Sequence, residues 1–132
     1  MTHSPGFLKL VNEAKSRIRQ IDIEGYKQMA ASGAAHVLVD IREESEWAAG
    51  HAAAAIHIGK GVIERDIETK IPDKSATIVL YCGGGFRSAL SAGALQQMGY
   101  TGVISLDGGW RAIAASGLPL TSAASLKSEP SR

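Results

Sequence analysis

The chain has a single cysteine, Cys82, and its surroundings in the sequence suit a nucleophile. Residues 76–81 are apolar and β-branched, as in a buried strand, and residues 88–98 carry Ala and Leu at helical spacing. Three consecutive glycines and Arg87 lie between the two segments. The backbone N–H groups of such a turn can converge on one point, and a helix N-terminus and an arginine both favour the anionic form of a thiol. These residues predict a thiolate nucleophile at Cys82.

The structural alternative is a buried, unreactive thiol, because free cysteines are among the most buried side chains. Three adjacent glycines are entropically costly, however, and they are useful where the backbone must approach a ligand closely. The glycine run and the electropositive turn therefore favour a reactive Cys82 over an inert one.

Residues 82–88 read Cys-Gly-Gly-Gly-Phe-Arg-Ser. They resemble the active-site loop of the rhodanese-like sulfurtransferases, C-x-x-G-x-R-S, and two further segments resemble other motifs of that family. Upstream, residues 40–51 are similar to its first motif, D-x-R-x-x-x-E-[FYW]-x-x-G-H, and residues 103–110 are similar to its strand followed by G-G-[WF]. The motifs occur in the order of the family and cover approximately residues 21–118, which makes the match specific.

The resemblance implies a single-domain sulfurtransferase that works through a cysteine persulfide. Cys82 would take a sulfane sulfur from thiosulfate or a persulfide and pass it to cyanide, a small thiol or a protein cysteine, with no cofactor and no metal. Cys82 and Arg87 would be the catalytic residues. The residues expected to bind substrate are Gly83, Gly84, Gly85, Phe86, Ser88 and Arg42.

The other polar residues of the first motif admit two interpretations. Asp40, Arg42 and Glu46 could place charge in the substrate pocket, or they could brace the loop after the second strand. For Asp40 and Glu46 we favour the brace, because a carboxylate beside a thiolate opposes its ionisation; for Arg42 both roles stay open. His51 is interpreted as structural support of the site, since nothing in the sequence places it beside Cys82 as a base.

Two segments depart from the family pattern. Residues 52–55 are four alanines where the family usually has I-x-G-A, and this predicts an altered and looser turn. The loop supplies no charge between Cys82 and Arg87, whereas relatives specialised for thiosulfate often carry basic residues there. The loop residues between Cys82 and Arg87 therefore predict no strong binding of an anionic substrate.

Two other functions remain as alternatives. Phosphatases and arsenate reductases of related fold use a similar loop, but an additional residue in theirs gives room for a tetrahedral oxyanion; here four residues separate Cys82 from Arg87. The second alternative is a non-catalytic rhodanese-like binding or regulatory module. The presence of both Cys82 and Arg87 argues against it, because such modules commonly lose the cysteine.

Composition bounds the class of protein and its partners. The chain has 132 residues and a net charge of +1, which fits one globular domain and gives no reason to expect nucleic acid or an acidic membrane as a partner. The four histidines show no metal-binding spacing, so we expect no metal site. One cysteine, no visible secretory signal and no long apolar run predict a cytoplasmic protein without membrane contact. The sequence leaves the oligomeric state open.

The elements that must position these residues alternate along the chain. Strand patterns at 20–21, 36–41, 55–58, 76–81 and 103–106 alternate with helical patterns at 23–32, 43–49, 61–67, 88–98 and 109–115. This alternation predicts an α/β fold with a doubly wound, mainly parallel five-stranded sheet and helices on both faces. The resemblance implies that this sheet is rhodanese-like. In such sheets ligands bind at the carboxyl ends of the strands, where Cys82 and Asp40 both lie.

The same patterns divide the chain into three parts. Residues 1–19 are predicted as an N-terminal amphipathic helix extension, 20–118 as the rhodanese-like domain and 119–132 as a disordered tail rich in Ser, Ala, Lys and Pro. The extension is basic, which could suit a membrane surface or a partner, but its narrow apolar stripe favours packing on the domain.

Overall fold

A computed structural model of the protein describes residues 3–122. Its strands are β1 (Arg19–Ile21), β2 (Val37–Asp40), β3 (Gly50–Ala52), β4 (Ile56–His57), β5 (Ile78–Tyr81), β6 (Val103–Leu106) and β7 (Leu120–Ser122). Its helices are α1 (Pro5–Lys15), α2 (Ile23–Ala31), α3 (Glu44–Ala49), α4 (Ile63–Lys70), α5 (Phe86–Gln97) and α6 (Gly109–Ala115). The main sheet has five parallel strands in the order β1-β6-β5-β2-β4.

Strand β5 lies at the centre of this sheet, and all four of its residues are buried. Because side chains alternate along a strand, Ile78 and Leu80 pack into one core with α4 and α5. Val79 and Tyr81 pack into a second core with α2 and α6. Burial on both sides explains the continuous apolar run of β5. The predicted α/β fold, with a parallel five-stranded sheet covered on both faces, is confirmed.

Helix α1 packs on the outer side of α5. Its apolar stripe buries Val11 and Ala14 against Ala89, and Phe7 and Phe86 pack at the edge of that cluster. This contact places the start of α1 close to the start of α5. Within residues 3–122, no helix is both long enough and apolar enough to cross a membrane.

A second, two-stranded sheet was not anticipated from the sequence. Strand β3 pairs antiparallel with β7, and Ala53 N–H donates a 3.0 Å hydrogen bond to the Pro119 carbonyl. The prediction of disorder from residue 119 is therefore wrong for 119–122, because backbone hydrogen bonds to β3 and to Ala53 order this stretch. Residues 123–132 of the predicted tail lie outside the described residues.

The alanine run continues from β3 into a turn. Ala55 N–H donates to the Ala52 carbonyl at 3.0 Å, which closes this turn. The expected looseness of the turn stays a prediction. The predicted strand at 55–58 is shorter in the structure, where only Ile56–His57 pairs with β2.

Candidate active site

The loop between β5 and α5 carries Cys82 at the carboxyl edge of the sheet. Gly85 ends the loop with φ +103°, and a Cβ there would lie 3.3 Å from both Asp107 Oδ1 and Gly108 N, so the position requires glycine. The start of α6 holds the loop from the other side. Trp110 N–H donates to the Cys82 carbonyl at 2.6 Å. Gly109 makes this approach possible, because a Cβ on it would collide with the same carbonyl.

Three hydrogen-bonding groups surround the Cys82 sulfur. The Gly85 N–H lies 3.1 Å from Sγ, the Ser88 N–H lies 3.3 Å from it, and Ser88 Oγ lies 3.5 Å from it. Ser88 Oγ in turn lies 2.8 Å from Ser105 Oγ, and both serines are fully buried. When the sulfur is anionic, the hydroxyl must act as donor, so all three groups can stabilise negative charge on Sγ.

Arg87 lies between the sulfur and a carboxylate. Its guanidinium donates to both oxygens of Glu46, at 3.0 and 3.3 Å. The pKa of Arg87 is raised, mainly by the hydrogen bond to Glu46 and to a smaller extent by charge and hydrogen bonding with Cys82. The pKa of Glu46 is lowered, mainly by the hydrogen bond from Arg87. The main partner of the Arg87 positive charge is therefore Glu46.

Glu46 also forms part of the N-terminus of α3. The Glu43 N–H donates to Glu46 Oε1 at 3.0 Å, and the Glu43 side chain accepts from the backbone at Glu46, which is a capping box. The ion pair between Glu46 and Arg87 thus connects the N-termini of α3 and α5.

Asp40 and Arg42 form a buried pair away from the sulfur. Arg42 Nη2 lies 2.7 Å from Asp40 Oδ2, Nε lies 3.1 Å from both carboxylate oxygens, and Nη2 also donates to the Gly50 carbonyl at 2.6 Å. The Arg42 guanidinium lies 4.6 Å from the Trp110 ring centroid and the residue is 3% exposed. A buried carboxylate requires a charged partner, and Arg42 is the partner of Asp40. Arg42 does not line the cavity over Cys82 that is described below.

His51 belongs to a stack of rings on α3 and the segment that follows it. Its ring lies 3.4 Å from that of Trp47 with an interplanar angle of 5°, and its Nδ1 lies 2.9 Å from the Trp47 carbonyl oxygen. Neither residue lines the cavity over Cys82. Within residues 3–122, no three His, Cys, Asp or Glu side chains are grouped in a way that could hold a metal ion.

A cavity of about 620 Å³ opens over Cys82. It is lined by Cys82, Gly83, Gly84, Phe86 and Arg87 from the loop and the start of α5, and by His3, Ser4, Phe7 and Arg111 from elsewhere. The structure thus brings five of the predicted site residues together at the cavity, with Gly85 and Ser88 contacting the sulfur. Sequence reasoning missed His3, Ser4, Phe7 and Arg111, because no motif links residues 3–7 or the third residue of α6 to the loop.

Comparison with known proteins gives consistent matches along most of the chain. The model of the rhodanese-like domain family matches residues 22–116. A sulfurtransferase of Allochromatium vinosum is 36% identical over 103 residues, which are 78% of this chain and 94% of that protein. The thiosulfate sulfurtransferase PspE of Escherichia coli is 35% identical over 75 residues, which are 57% of this chain and 72% of that protein.

A solved structure from Rhodopseudomonas palustris is also similar. It is described as a protein of unknown function and a possible tyrosine phosphatase, and it is 28% identical to this chain. The match has a TM-score of 0.76 and covers 92% of this chain and 98% of that one.

Proposed function

The chain belongs to the family of rhodanese-like domains, and from this membership and the geometry around Cys82 we propose that it is a sulfurtransferase that works through a Cys82 persulfide. The observation that carries the proposal is the set of donors around Sγ, with the Gly85 N–H at 3.1 Å and the Ser88 N–H at 3.3 Å. The sulfurtransferases of A. vinosum and E. coli support the same reaction class.

The reaction consists of two displacements at sulfur. The Cys82 thiolate attacks the outer sulfur of thiosulfate, the S–S bond of the donor breaks, and its electron pair leaves with sulfite. In the second step a thiolate or cyanide attacks the outer sulfur of the Cys82 persulfide, and the electron pair of that S–S bond returns to Sγ. Neither step needs an oxidant, a reductant, a cofactor or a metal.

The loop residues have distinct roles in this scheme. The N–H groups of the loop that includes Gly83, Gly84 and Gly85 stabilise the negative charge that sits on the terminal sulfur, as preorganised donors stabilise an oxyanion. Phe86 lines the cavity next to them. Arg87 adds positive charge and, through Glu46, keeps the start of α5 in place.

Asp40 and Arg42 support the Cys82 loop indirectly, through Trp110. Their ion pair connects the end of β2 to the Gly50 carbonyl, to which Arg42 also donates. The Arg42 guanidinium packs on the ring of Trp110, and the Trp110 N–H donates to the Cys82 carbonyl. We therefore propose that Arg42 acts in the brace and does not bind substrate. A reactive free thiol also fits a reducing compartment, so we place the protein in the cytoplasm.

The test is the transfer of sulfur from thiosulfate to cyanide, measured as thiocyanate. Wild type is expected to be active, and Cys82→Ser is expected to be inactive with an unchanged circular dichroism spectrum, because a serine hydroxyl is not ionised at neutral pH. Activity of Cys82→Ser within a few-fold of wild type would refute the mechanism. A phosphate ester such as p-nitrophenyl phosphate is the matched substrate for the phosphatase alternative, and turnover of that ester without sulfur transfer would favour the alternative.

A further inference from the structure

Arg111 gives the cavity over Cys82 a second positive charge beside that of Arg87. It is an exposed residue in the first turn of α6, and its N–H donates to the Gly83 carbonyl at 3.2 Å, which fixes its backbone against the loop. Arg87 is already paired with Glu46, whereas no ion pair within residues 3–122 involves Arg111. The described residues that line the cavity include no Asp or Glu. Arg111 is therefore available to bind an anion there.

Helix α1 and the residue His3 before it give the same cavity an aromatic wall. The His3 ring lies 4.5 Å from that of Phe86 and 5.3 Å from that of Phe7, and the Phe7 and Phe86 rings lie 6.2 Å apart, all in tilted or edge-to-face arrangements. The wall is fixed, because α1 is anchored on α5 through its buried residues Val11 and Ala14.

The size of the cavity and the burial of the nucleophile favour an organic substrate. A volume of about 620 Å³ lies within the range of sites that bind small organic molecules, and thiosulfate would fill only a small part of it. Cys82 is 1% exposed, so the sulfur that reacts with it must enter the cavity.

We propose that Arg111 determines acceptor specificity by binding the carboxylate of a small organic thiol whose carbon skeleton packs on Phe7 and Phe86. This inference rests on the proposed sulfurtransferase function. The acceptor thiol loses its proton to solvent, and its thiolate attacks the outer sulfur of the Cys82 persulfide. The S–S bond at Cys82 breaks, its electron pair stays on Sγ, and the product is the persulfide of the acceptor. The sulfane sulfur keeps its oxidation state, so no further reactant is needed.

The test isolates the second step by loading Cys82 with sulfur first and then following its discharge by mass spectrometry. Two acceptors of similar size are compared, 3-mercaptopropionate with its carboxylate and 3-mercaptopropanol without it. In Arg111→Gln we expect the second-order rate constant for 3-mercaptopropionate to fall about tenfold and that for 3-mercaptopropanol to change by less than about twofold. Arg111→Lys should retain part of the preference, because it keeps the charge but not the planar fork.

Arg17→Gln is the matched control. It removes the same charge from an exposed position that does not line the cavity, and both thiols should discharge it at wild-type rates. Equal slowing of the two thiols in Arg111→Gln, or no slowing of either, would overturn the assignment of Arg111. Failure of wild-type Cys82 to take up sulfur from any donor is a different result, and it would overturn the proposed function together with this inference.

Discussion

Replacing Ser88 with alanine removes a hydroxyl from the sulfur but leaves the backbone donors in place. Ser88 Oγ lies 3.5 Å from Cys82 Sγ and 2.8 Å from Ser105 Oγ, while the N–H groups of residues 85 and 88 lie 3.1 and 3.3 Å from the sulfur. Ser88→Ala therefore deletes one of these three donors to the thiolate. Ser105→Ala is the informative partner variant, because it removes a hydroxyl of the same chain of hydrogen bonds without touching Cys82.

The magnitudes follow from the distances and from burial. A hydrogen bond to a charged group contributes about 1.5–3 kcal/mol. Because Ser88 Oγ lies 3.5 Å from Cys82 Sγ, this hydrogen bond should contribute an energy at or below the lower end of that range. Since about 1.4 kcal/mol corresponds to one pH unit, the pH of half-maximal Cys82 alkylation should rise by about 0.5–1 unit in Ser88→Ala. It should move by less than about 0.3 unit in Ser105→Ala, because the Ser88 hydroxyl can still donate to the sulfur.

Protein stability gives a second, independent readout of the same pair. Ser88→Ala leaves the fully buried Ser105 hydroxyl without this partner, which should lower the free energy of unfolding by about 1–3 kcal/mol. The double variant Ser88→Ala/Ser105→Ala should recover part of that loss, because neither hydroxyl remains.

The assays are iodoacetamide alkylation of Cys82 as a function of pH, followed by intact mass, and urea unfolding of the four proteins. Superimposable alkylation curves for wild type and Ser88→Ala would refute the reasoning, because they would mean that backbone N–H groups alone act on the sulfur. Equal shifts in Ser88→Ala and Ser105→Ala would also refute it, since they would indicate a general change in the packing of the site.

Three further predictions follow from other contacts. Ser91→Ala should raise the free energy of unfolding in urea by about 1 kcal/mol, because the buried Ser91 hydroxyl has no hydrogen-bond partner among the described residues; a loss of stability would contradict this. Gly109→Ala should lower it by about 2 kcal/mol or more and reduce sulfur transfer, because φ is +50° and a Cβ would collide with the Cys82 carbonyl; wild-type values would mean that this close approach is unnecessary. Glu46 has a lowered pKa, mainly because of Arg87, so its contribution to stability is complete above the ordinary pKa of glutamate and is lost as the pH falls through the lowered value. The free energies of unfolding of wild type and Glu46→Gln in urea should therefore approach each other as the pH falls below the ordinary glutamate pKa of about 4.3. A difference that stays constant down to pH ~2 would count against the Glu46–Arg87 pair.

Much of the fold and the centre of the site could be predicted from the sequence, because both depend on local patterns. The buried run of β5, the glycines of the loop and the helical spacing of α5 lie within one continuous segment. Their order alone places Cys82 at the carboxyl end of a strand. The glycine run indicated a close approach of the backbone to a ligand, whereas the positive φ of Gly85 was not predicted.

The wall of the cavity could not be predicted, because it depends on contacts between segments that are distant in sequence. His3 and Phe7 reach the cavity only because α1 docks on α5, and Arg111 reaches it only because α6 begins against the loop. Ser105 is one polar residue in an apolar strand, and only the packing of α5 on the sheet shows that it meets Ser88.

Arg42 illustrates a different limit of sequence reasoning. The motif places it two residues beyond the end of β2, close enough to Cys82 in the predicted sheet to be counted among the substrate-binding residues. The sequence does not show that Asp40 is completely buried. A buried carboxylate needs charged and hydrogen-bonding partners, and this requirement accounts for the direction of the Arg42 side chain.

The central claim is that Cys82 carries sulfur covalently, and intact mass spectrometry of the whole protein tests it most directly. After incubation with thiosulfate, wild type should gain ~32 Da, the mass of one sulfur atom, on Cys82 as the covalent intermediate. Cyanide should remove the added mass, and Cys82→Ser should never acquire it. An unmodified wild-type mass, with Cys82 reduced and thiosulfate in excess, would contradict the account.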